Sequence, residues 1–263
     1  MEALKDLKNK HKYQDIYVLG SGPSLTYIDP SFFCDKIVVA TNSVADRLKL
    51  YDILPFPLIY THSHYHEELH ALADRYAGYY IAPEGDQGHA GEPNPPHPRV
   101  IYYPHPATSY DFSVERAVHP EGLIVGSTSM HGSMHLAAHM GAANIIMVGA
   151  DCGMIDGKFN QEGYTSGNLE TSDPDFWLAR WETHLRQVKA YLCDRYDVNI
   201  YSLNPFLNMN LEGHEWRGTP PTTHSNVTNS RYITISTDNQ QQIAQRFHTG
   251  LCKTCGMHCA DLH

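Results

Sequence analysis

The stretch IYVLGSGPSL, residues 16–25, places a short apolar run directly before a turn of small polar residues. An apolar run of this length that ends at Gly and Pro is typical of a buried strand. Glycines in such a turn let backbone N–H groups approach an anion closely, and Ser21 and Ser24 add hydroxyl donors. The stretch therefore predicts an anion-holding turn after the first strand or, more simply, a tight strand-to-loop connection.

Strand-like and helix-like segments alternate along the first 210 residues. The further strand-like runs are KIVVATNS (36–43), FPLIYTHS (56–63), YYIAP (79–83), NIIMV (144–148) and VNIYSLNP (198–205). The helix-like segments are 44–54, 66–77, a stretch that follows the Gly/Ser-rich turn 126–129 and stops at Gly141, and 175–195, which starts after Asp173-Pro174. This series predicts an α/β fold, a Rossmann-like and mostly parallel sheet with helices on both faces.

The domain boundaries follow from changes in composition. Residues 1–212 are expected to form the Rossmann-like domain. Within it, Pro and Gly punctuate the region from residue 83, so we expect a loop-rich insertion at 83–120 that acts as a lid or is a plain surface loop. Residues 213–263 are polar, turn-rich and then Cys/His-rich, and are expected to form a further lid and a small C-terminal tail. His214, Arg217 and His224 are candidates there to meet an acceptor or a phosphate.

Charge and hydropathy exclude several classes of protein. The formal net charge of −10 argues against broad attraction to nucleic acid or to anionic membranes. The charged fraction is only 18%, whereas 18 His and 17 Tyr are present, a mixture typical of a loop-rich enzyme with a pocket. The N-terminal MEALKDLKNKHKYQD lacks an apolar signal core, and no apolar stretch approaches the roughly 18 residues of a membrane span. We therefore expect a cytoplasmic protein without a membrane span or a disulfide framework.

Polar tips follow three consecutive predicted strands: GSGPS, TNS and THSHYH. In a parallel sheet, ligands bind beyond the carboxyl ends of the strands, near a topological switch point. The first tip is neither a dinucleotide fingerprint, because the third Gly is missing, nor a Walker A loop, because no Gly-Lys-Ser/Thr follows. The three tips together predict one anion-accepting crevice.

The motifs VLGSGPSL, ATNS about 20 residues later and GSTSMHGSMHLAAHMGAANIIMVGAD resemble one superfamily over residues 14–210. It comprises Campylobacter-type sialyltransferases, motility accessory factors that modify flagellin, and archaeal 6-hydroxymethylpterin pyrophosphokinase-like proteins. The resemblance implies that residues 1–212 form a nucleotide-binding transferase domain. The residues that it implies for binding the nucleotide or nucleotide-sugar are Gly20, Ser21, Gly22, Ser24, Asn42, Ser127, Thr128 and Ser129.

The resemblance also directs attention to the catalytic groups. It implies that Asp151 reaches a ribose hydroxyl or the transferred group, although an N-cap or turn role is the alternative. The sialyltransferases use a His before the helix that precedes the last strand, together with a Tyr pair. Here the corresponding segment, 156–182, contains no His and only Tyr164, and His184 inside the following helix is expected to be a poor substitute. Tyr164 and Asp151 are retained as catalytic candidates.

Histidines are concentrated in two places. His62, His64 and His66 alternate along THSHYH, so they would share one face of an extended strand. They could bind a divalent metal, contact phosphate or, for His62 and His64 especially, supply a general base; a solvated turn is the plain alternative. The second set is helical, with spacing i, i+4 and i+8. In it His131 is expected near a phosphate, whereas His135 and His139 are expected to be structural.

The C-terminal LCKTCGMHCADLH contains three cysteines with C-x₂-C-x₃-C spacing. A structural zinc site would use Cys252, Cys255, His258 and Cys259, with His263 as a further donor. An iron–sulfur cluster or a reducible tail without metal are the alternatives.

Three hypotheses for function remain after these observations. The first is a glycosyltransferase that moves a sugar from a nucleotide-activated donor of unknown base to an acceptor hydroxyl on a glycan, protein, lipid or modified nucleic acid. The second is a Mg²⁺-dependent pyrophosphokinase or phosphotransferase of the pterin type. The third is a non-catalytic nucleotide-binding protein that kept the fold. Assembly into a homo-oligomer stays open.

Overall fold

The fold is a seven-stranded sheet covered on both faces. The computed structural model describes residues 3–54, 58–60, 71, 73–74, 78–84, 97–104, 113–117, 121–162, 173–202 and 232–233. The sheet strands are β1 Asp15–Leu19, β2 Ile37–Thr41, β3 Leu58–Tyr60, β4 Tyr80–Pro83, β5 Val100–Tyr103, β6 Asn144–Val148 and β8 Asn199–Ser202; β7 Met154–Ile155 and β9 Tyr232–Ile233 pair separately.

The strand order explains where a ligand would bind. The order is β5-β4-β3-β2-β1-β6-β8, and all six pairings between these described strands are parallel. The chain adds β2 to β5 on one side of β1 and then returns to place β6 and β8 on the other side. The order therefore reverses between β1 and β6, which makes the carboxyl ends of these two strands the topological switch point. The predicted mostly parallel α/β fold is confirmed.

The α-helices with defined bounds are α1 Val44–Arg47, α2 Val114–Ala117, α3 Ser129–His139 and α4 Pro174–Tyr196, and residues 71 and 73–74 are also helical. Short 3₁₀ helices occur at Leu4–Leu7, Pro23–Tyr27, Pro30–Phe33 and Leu50–Asp52. None of the helices described here is long and apolar enough to cross a membrane.

Two hydrophobic cores form because side chains alternate between the faces of each strand. Ile16 and Val18 of β1 point into a core that contains α3 and α4. Tyr17 and Leu19 point into the opposite core, where α1 and the three 3₁₀ helices between Pro23 and Asp52 lie. Helix α3 is buried along nearly its whole length between the sheet and α4. The sheet thus has helices on both faces, as the sequence predicts.

Local sequence signals fix the two helices that matter most for the site. The Thr128 hydroxyl caps the start of α3 by accepting a hydrogen bond from Met130 N, and Gly141 follows the helix end with φ of +86°. Asp173 caps α4 by accepting from Asp175 N and Phe176 N, with Pro174 in the first turn. These starts and stops agree with the expected segments to within a residue or two.

The N-terminal segment fastens the other end of α3. The N–H groups of Asn9, His11 and Tyr13 donate to the carbonyls of His139, Met140 and Gly141 at 3.0, 2.9 and 2.8 Å. Leu4 and Leu7 are buried in the same core as α3. The last carbonyls of this buried helix are therefore satisfied by chain that precedes β1.

Two segments differ from the sequence analysis. The region 83–120 was expected to be loop-rich, but residues 100–103 form β5, whose Ile101 and Tyr103 are buried. The segment 44–54 was expected to be one helix, but it divides into α1 and the 3₁₀ helix Leu50–Asp52, with Lys49 between them in a left-handed conformation. In the predicted C-terminal segment, residues 232–233 pair with β7, and the Cys/His-rich tail lies outside the described residues.

Candidate functional site

A cavity of about 220 Å³ opens at the switch point between β1 and β6. Of the sequence-predicted site residues, its lining contains Gly20, Ser21, Gly22, Asn42, Ser127, Thr128, Ser129 and Asp151. These residues come from the tips of β1, β2 and β6 and from the start of α3. The structure therefore brings the loops after three parallel strands together at one crevice.

The loop after β1 is tied to the tip of β6 through backbone hydrogen bonds. Gly20 N donates to Val148 O and Gly22 N donates to Gly149 O, each at 2.7 Å. A Cβ on Gly22 would lie 2.5 Å from Gly149 O and 2.6 Å from Asp151 Oδ2, so only glycine fits. The sequence suggested that these N–H groups would hold an anion. In the structure, both N–H groups donate to backbone carbonyls at the neighbouring strand tip.

Ser24 and Asp151 form a buried pair beneath the cavity. Both are almost inaccessible, and Asp151 accepts from Ser24 N and Ser24 Oγ, each at 2.6 Å. Burial raises the pKa of Asp151 to about 6, and the two hydrogen bonds from Ser24 act in the opposite direction. Ser24 lies below the lining rather than in it, so its position supports the β1 loop instead of facing a ligand.

Asn42 connects the tip of β2 to the start of α3. Its φ is +50°, a left-handed conformation that Asn tolerates better than most side chains. Its Nδ2 donates to Ser129 Oγ at 3.0 Å, and its N–H donates to Tyr60 O at 2.9 Å. The amide therefore fixes the position of a hydroxyl at the N-terminal end of a buried helix, where the helix dipole favours an anion.

A serine and a histidine form a pair at one side of the cavity. Ser127 Oγ lies 2.7 Å from Nδ1 of His184, which is buried in α4. Burial lowers the pKa of His184, and the charge of Arg180 lowers it further, so the imidazole is neutral near pH 7. The sequence analysis expected His184 to be a poor base. The structure places it one hydrogen bond away from a cavity-lining hydroxyl.

The helical histidines of α3 are mostly structural. His135 Nδ1 accepts from Ile124 N at 3.0 Å and its Nε2 contacts Tyr196 Oη at 2.6 Å, while burial lowers its pKa to about 3. His139 Nε2 donates to Leu4 O at 3.0 Å. His131, which was expected near a phosphate, is fully buried with its ring 6.1 Å from that of His184. It lies behind the Ser127–His184 pair rather than in the cavity.

Part of the cavity lining is apolar. Leu178, Trp181 and Leu185 of α4 line the cavity, and Phe159 and Asn160 of the loop after β7 complete the lining. The Ser21 hydroxyl approaches Asn160 Oδ1 at 3.5 Å, and Ser21 O accepts from Gln161 N at 2.7 Å. The cavity thus combines hydroxyl and amide groups with aromatic and aliphatic groups.

The lining carries little charge. Among its described residues Asp151 is the one carboxylate, and none is Lys, Arg or His. No group of three His, Cys, Asp or Glu side chains suited to a metal ion occurs within the described ranges. A ligand phosphate would therefore meet the dipole of α3, hydroxyls and an amide rather than cationic side chains.

Several sequence-predicted residues lie outside the described residues. They are the catalytic candidates His62, His64 and Tyr164, the neighbouring His66, the metal candidates Cys252, Cys255, His258 and Cys259, with His263, and the lid candidates His214, Arg217 and His224. Their roles, like a cytoplasmic location and a zinc site, stay predictions.

With the fold and the cavity described, the chain can be compared with known proteins. No protein-family model and no curated protein matches it. It is similar to the solved MAf glycosyltransferase from Magnetospirillum magneticum AMB-1, with 13% identity and a TM-score of 0.45 over 92% of this chain. It is also similar to the sialyltransferase CstII from Campylobacter jejuni, solved with the substrate analogue cytidine-5'-monophosphate, with 14% identity and a TM-score of 0.41 over 89% of this chain and 99% of that one. The chain spans 38% of the length of the MAf structure.

Proposed function

We propose that this protein is a nucleotide-dependent glycosyltransferase that moves a sugar from a nucleotide-activated donor to an acceptor hydroxyl. The observation that carries the proposal is the arrangement at the switch point. One cavity joins the start of α3, the Asn42–Ser129 contact and the Ser127–His184 pair. Binding groups for an anion and a neutral base therefore lie side by side.

The polar and the apolar groups of the lining match the phosphate and the base of a nucleotide, respectively. The donor phosphate would lie at the start of α3, where the helix dipole and the hydroxyls of Ser127 and Ser129 stabilise negative charge. The base and ribose would contact the apolar part of the lining near Phe159. The sequence resemblance to sialyltransferase-type proteins supports a sugar as the transferred group.

The reaction needs a proton acceptor and a stabilised leaving group. The acceptor oxygen forms a bond to the anomeric carbon while the bond from that carbon to the phosphate oxygen breaks, and the phosphate leaves with the electron pair. Because Ser127 lines the cavity and His184 lies behind it, Ser127 Oγ takes the acceptor proton and gives its own to Nδ1 of His184. The helix dipole of α3 stabilises the charge that develops on the departing phosphate.

The same geometry weighs against the pyrophosphokinase hypothesis. Such an enzyme holds Mg²⁺ through carboxylates that reach the phosphates. The carboxylate in the described lining is that of Asp151, and both of its oxygens accept hydrogen bonds from Ser24 in a buried position. Asp151 therefore serves the architecture of the loop, and glycosyl transfer is the function that the site supports better.

Calorimetric titration with CMP, UDP, GDP and ATP tests the proposal directly. We expect one nucleotide to bind saturably and to release no heat with Asn42→Ala, because that variant loses the amide at the phosphate end. Ser133→Ala is the matched control, since Ser133 is buried in α3 and donates to Ser129 O without lining the cavity. If none of the four nucleotides binds to the wild-type protein, the proposal is wrong.

A further inference from the structure

The first two turns of α4 carry three aromatic side chains in contact with one another. The rings of Phe176 and Trp177 meet edge to face with centroids 5.5 Å apart. Trp177 and Trp181 are one helical turn apart, and their ring centroids are separated by 6.3 Å. The three rings therefore form a continuous file at the start of α4, which we call the aromatic file.

The aromatic file runs from the protein surface to the cavity. Phe176, at its outer end, is 53% exposed, whereas Trp181, at its inner end, lines the cavity described above. A single exposed aromatic side chain is common on protein surfaces. An exposed ring that continues through a second ring into a polar cavity is a feature of a binding surface.

Arg180 holds the outer part of the file in place. Its guanidinium carbon lies 5.8 Å from the centroid of Phe176 and 5.6 Å from that of Trp177. Cation–π contacts of this kind restrict the two rings to defined orientations. The file therefore offers preorganised ring faces and edges, and a ligand would lose little free energy by ordering them.

We propose that the aromatic file binds the pyranose ring of a saccharide acceptor and directs one of its hydroxyls toward Ser127. The inference rests on the proposed function, which requires an acceptor hydroxyl beside the Ser127–His184 pair. The C–H bonds on the face of a pyranose carry slight positive charge, and the faces of aromatic rings carry negative charge, so the two attract.

The dimensions of the aromatic file favour a saccharide over a protein acceptor. A specific protein interface buries about 800 Å² on each partner, and two partly exposed aromatic side chains supply only a fraction of that area. Two adjacent rings match the size of one or two pyranoses. A nucleobase could also stack on aromatic rings, and the experiment below separates that case from a saccharide.

The experiment measures saccharide and nucleotide binding on the same samples. Cellobiose and lactose are the probes and sorbitol, which has no ring, is the negative ligand; binding is followed by saturation-transfer difference NMR and by tryptophan fluorescence. Phe176→Ala and Trp177→Ala should each weaken saccharide binding by about three- to tenfold, with nucleotide affinity unchanged. Trp177→Phe keeps a ring and should retain most of the binding. Tyr51→Ala is the matched control, because Tyr51 is exposed on the opposite face of the sheet.

The other outcomes contradict either the inference or the proposed function, and they distinguish the two. If nucleotide affinity falls while saccharide binding persists, the aromatic file belongs to the donor base. If neither saccharide binds the wild-type protein, or if the two Ala variants bind as the wild type does, the file is not a saccharide site. Loss of nucleotide binding in the wild type with the expected saccharide results would instead overturn the proposed function and leave the saccharide site standing. Thermal unfolding of each variant confirms that it is folded.

Discussion

Ser127 Oγ and His184 Nδ1 lie 2.7 Å apart although 57 residues separate them in the chain. The contact joins the turn before α3 to the middle of α4. It is the feature that turns a polar crevice into a site with a proton acceptor, and several expectations follow from its geometry.

The two members of the pair should act as a unit in catalysis. Ser127→Ala and His184→Gln should each lower the turnover of donor sugar by about 10²- to 10⁴-fold, because either change interrupts the same proton path. The double variant should be no slower than the slower single variant. Steady-state kinetics with the donor identified by calorimetry checks this. Full activity in His184→Gln, with loss of activity in His62→Ala or His64→Ala, would instead assign the base to one of those two histidines.

The rate should fall on the acid side of the pH profile at an unusually low pH. Burial and Arg180 lower the pKa of His184, so the neutral base persists below the ordinary value of 6.5. Activity should be level near pH 7 and decline only as the pH falls through that lowered pKa. Because Asp151 titrates at about 6, the profile must be repeated with Asp151→Asn, in which the acid limb should persist. If the rate of both proteins already declines at or above pH 6.5, the pKa of the base is not lowered and the prediction is wrong.

Asp151 should make the protein less stable as the pH rises, which is the opposite of the effect of a carboxyl group whose pKa is lowered by folding. The pKa of this buried carboxyl is raised from 3.8 to about 6, so the folded state binds a proton more tightly than the unfolded state. Its contribution to stability is present below about pH 4 and is lost as pH rises through 6, a change on the order of 2–3 kcal/mol.

Asp151→Asn isolates this contribution. An Asn side chain can accept from Ser24 N and donate to Ser24 Oγ, so the contacts are retained without the charge. Urea unfolding at pH 4.5, 5.5 and 7 should show the variant gaining on the wild-type protein as pH rises and a constant difference above about pH 7. If the difference in the free energy of unfolding between the two proteins does not change between pH 4.5 and 7, the pKa of Asp151 is not raised in the folded protein.

Asn42 should separate backbone strain from the loss of its amide. Asn42→Gly removes the contact with Ser129 together with the Cβ, whereas Asn42→Ala removes the contact but keeps a Cβ at φ +50° without the polar group that lets Asn tolerate this conformation. The Ala variant should therefore be less stable than the Gly variant by about 1 kcal/mol, and both should lose nucleotide affinity to a similar extent. Thermal unfolding measures the stability of the two variants, and calorimetry measures their nucleotide affinity independently. Equal stability of the two variants would contradict the strain.

Gly22→Ala should separate the tips of β1 and β6. The added methyl group would lie 2.5 Å from the carbonyl oxygen of Gly149, a backbone atom that cannot move aside without shifting the strand tip. We expect a loss of about 1–3 kcal/mol in the free energy of unfolding and a weaker nucleotide affinity. Gly157→Asn is the control, since Gly157 has a positive φ, which Asn tolerates, and open space around it. A stable, fully binding Gly22→Ala protein would contradict the close approach.

The segments that could be predicted from the sequence are those with local signals. A Thr cap, a Gly stop and a buried apolar run define α3 and β6, and an Asp-Pro start defines α4. Strand β5 was missed because its short apolar run lies between Pro-rich stretches that read as loop. Its place in the sheet depends on pairing with β4, which no local pattern records.

The sequence predicted most of the residues that line the cavity, but it did not predict which of their groups are already hydrogen-bonded to each other. The tips of parallel strands must share an edge, so the gathering of Ser21, Asn42 and Ser127 followed from the fold class. The approach of the β1 loop to the tip of β6 determines which N–H groups are already hydrogen-bonded, and the sequence carries no local signal for that approach. His184 had one usable signal, since it sits beside Leu185 on the apolar stripe of α4, but its partner depends on how α4 packs on α3.

The backbone contacts that Asn9, His11 and Tyr13 make with the far end of α3 have a practical consequence. A shortened version of the protein that starts at β1 would remove the N–H donors of three carbonyls at the end of α3 and would uncover the core that Leu4 and Leu7 cover. Greater mobility at the C-terminal end of α3 would also affect its N-terminal end, about 16 Å away, where the first turn of the helix lines the cavity. Residues ahead of the first strand thus support the helix whose first turn borders the cavity, and engineered fusions are better joined elsewhere.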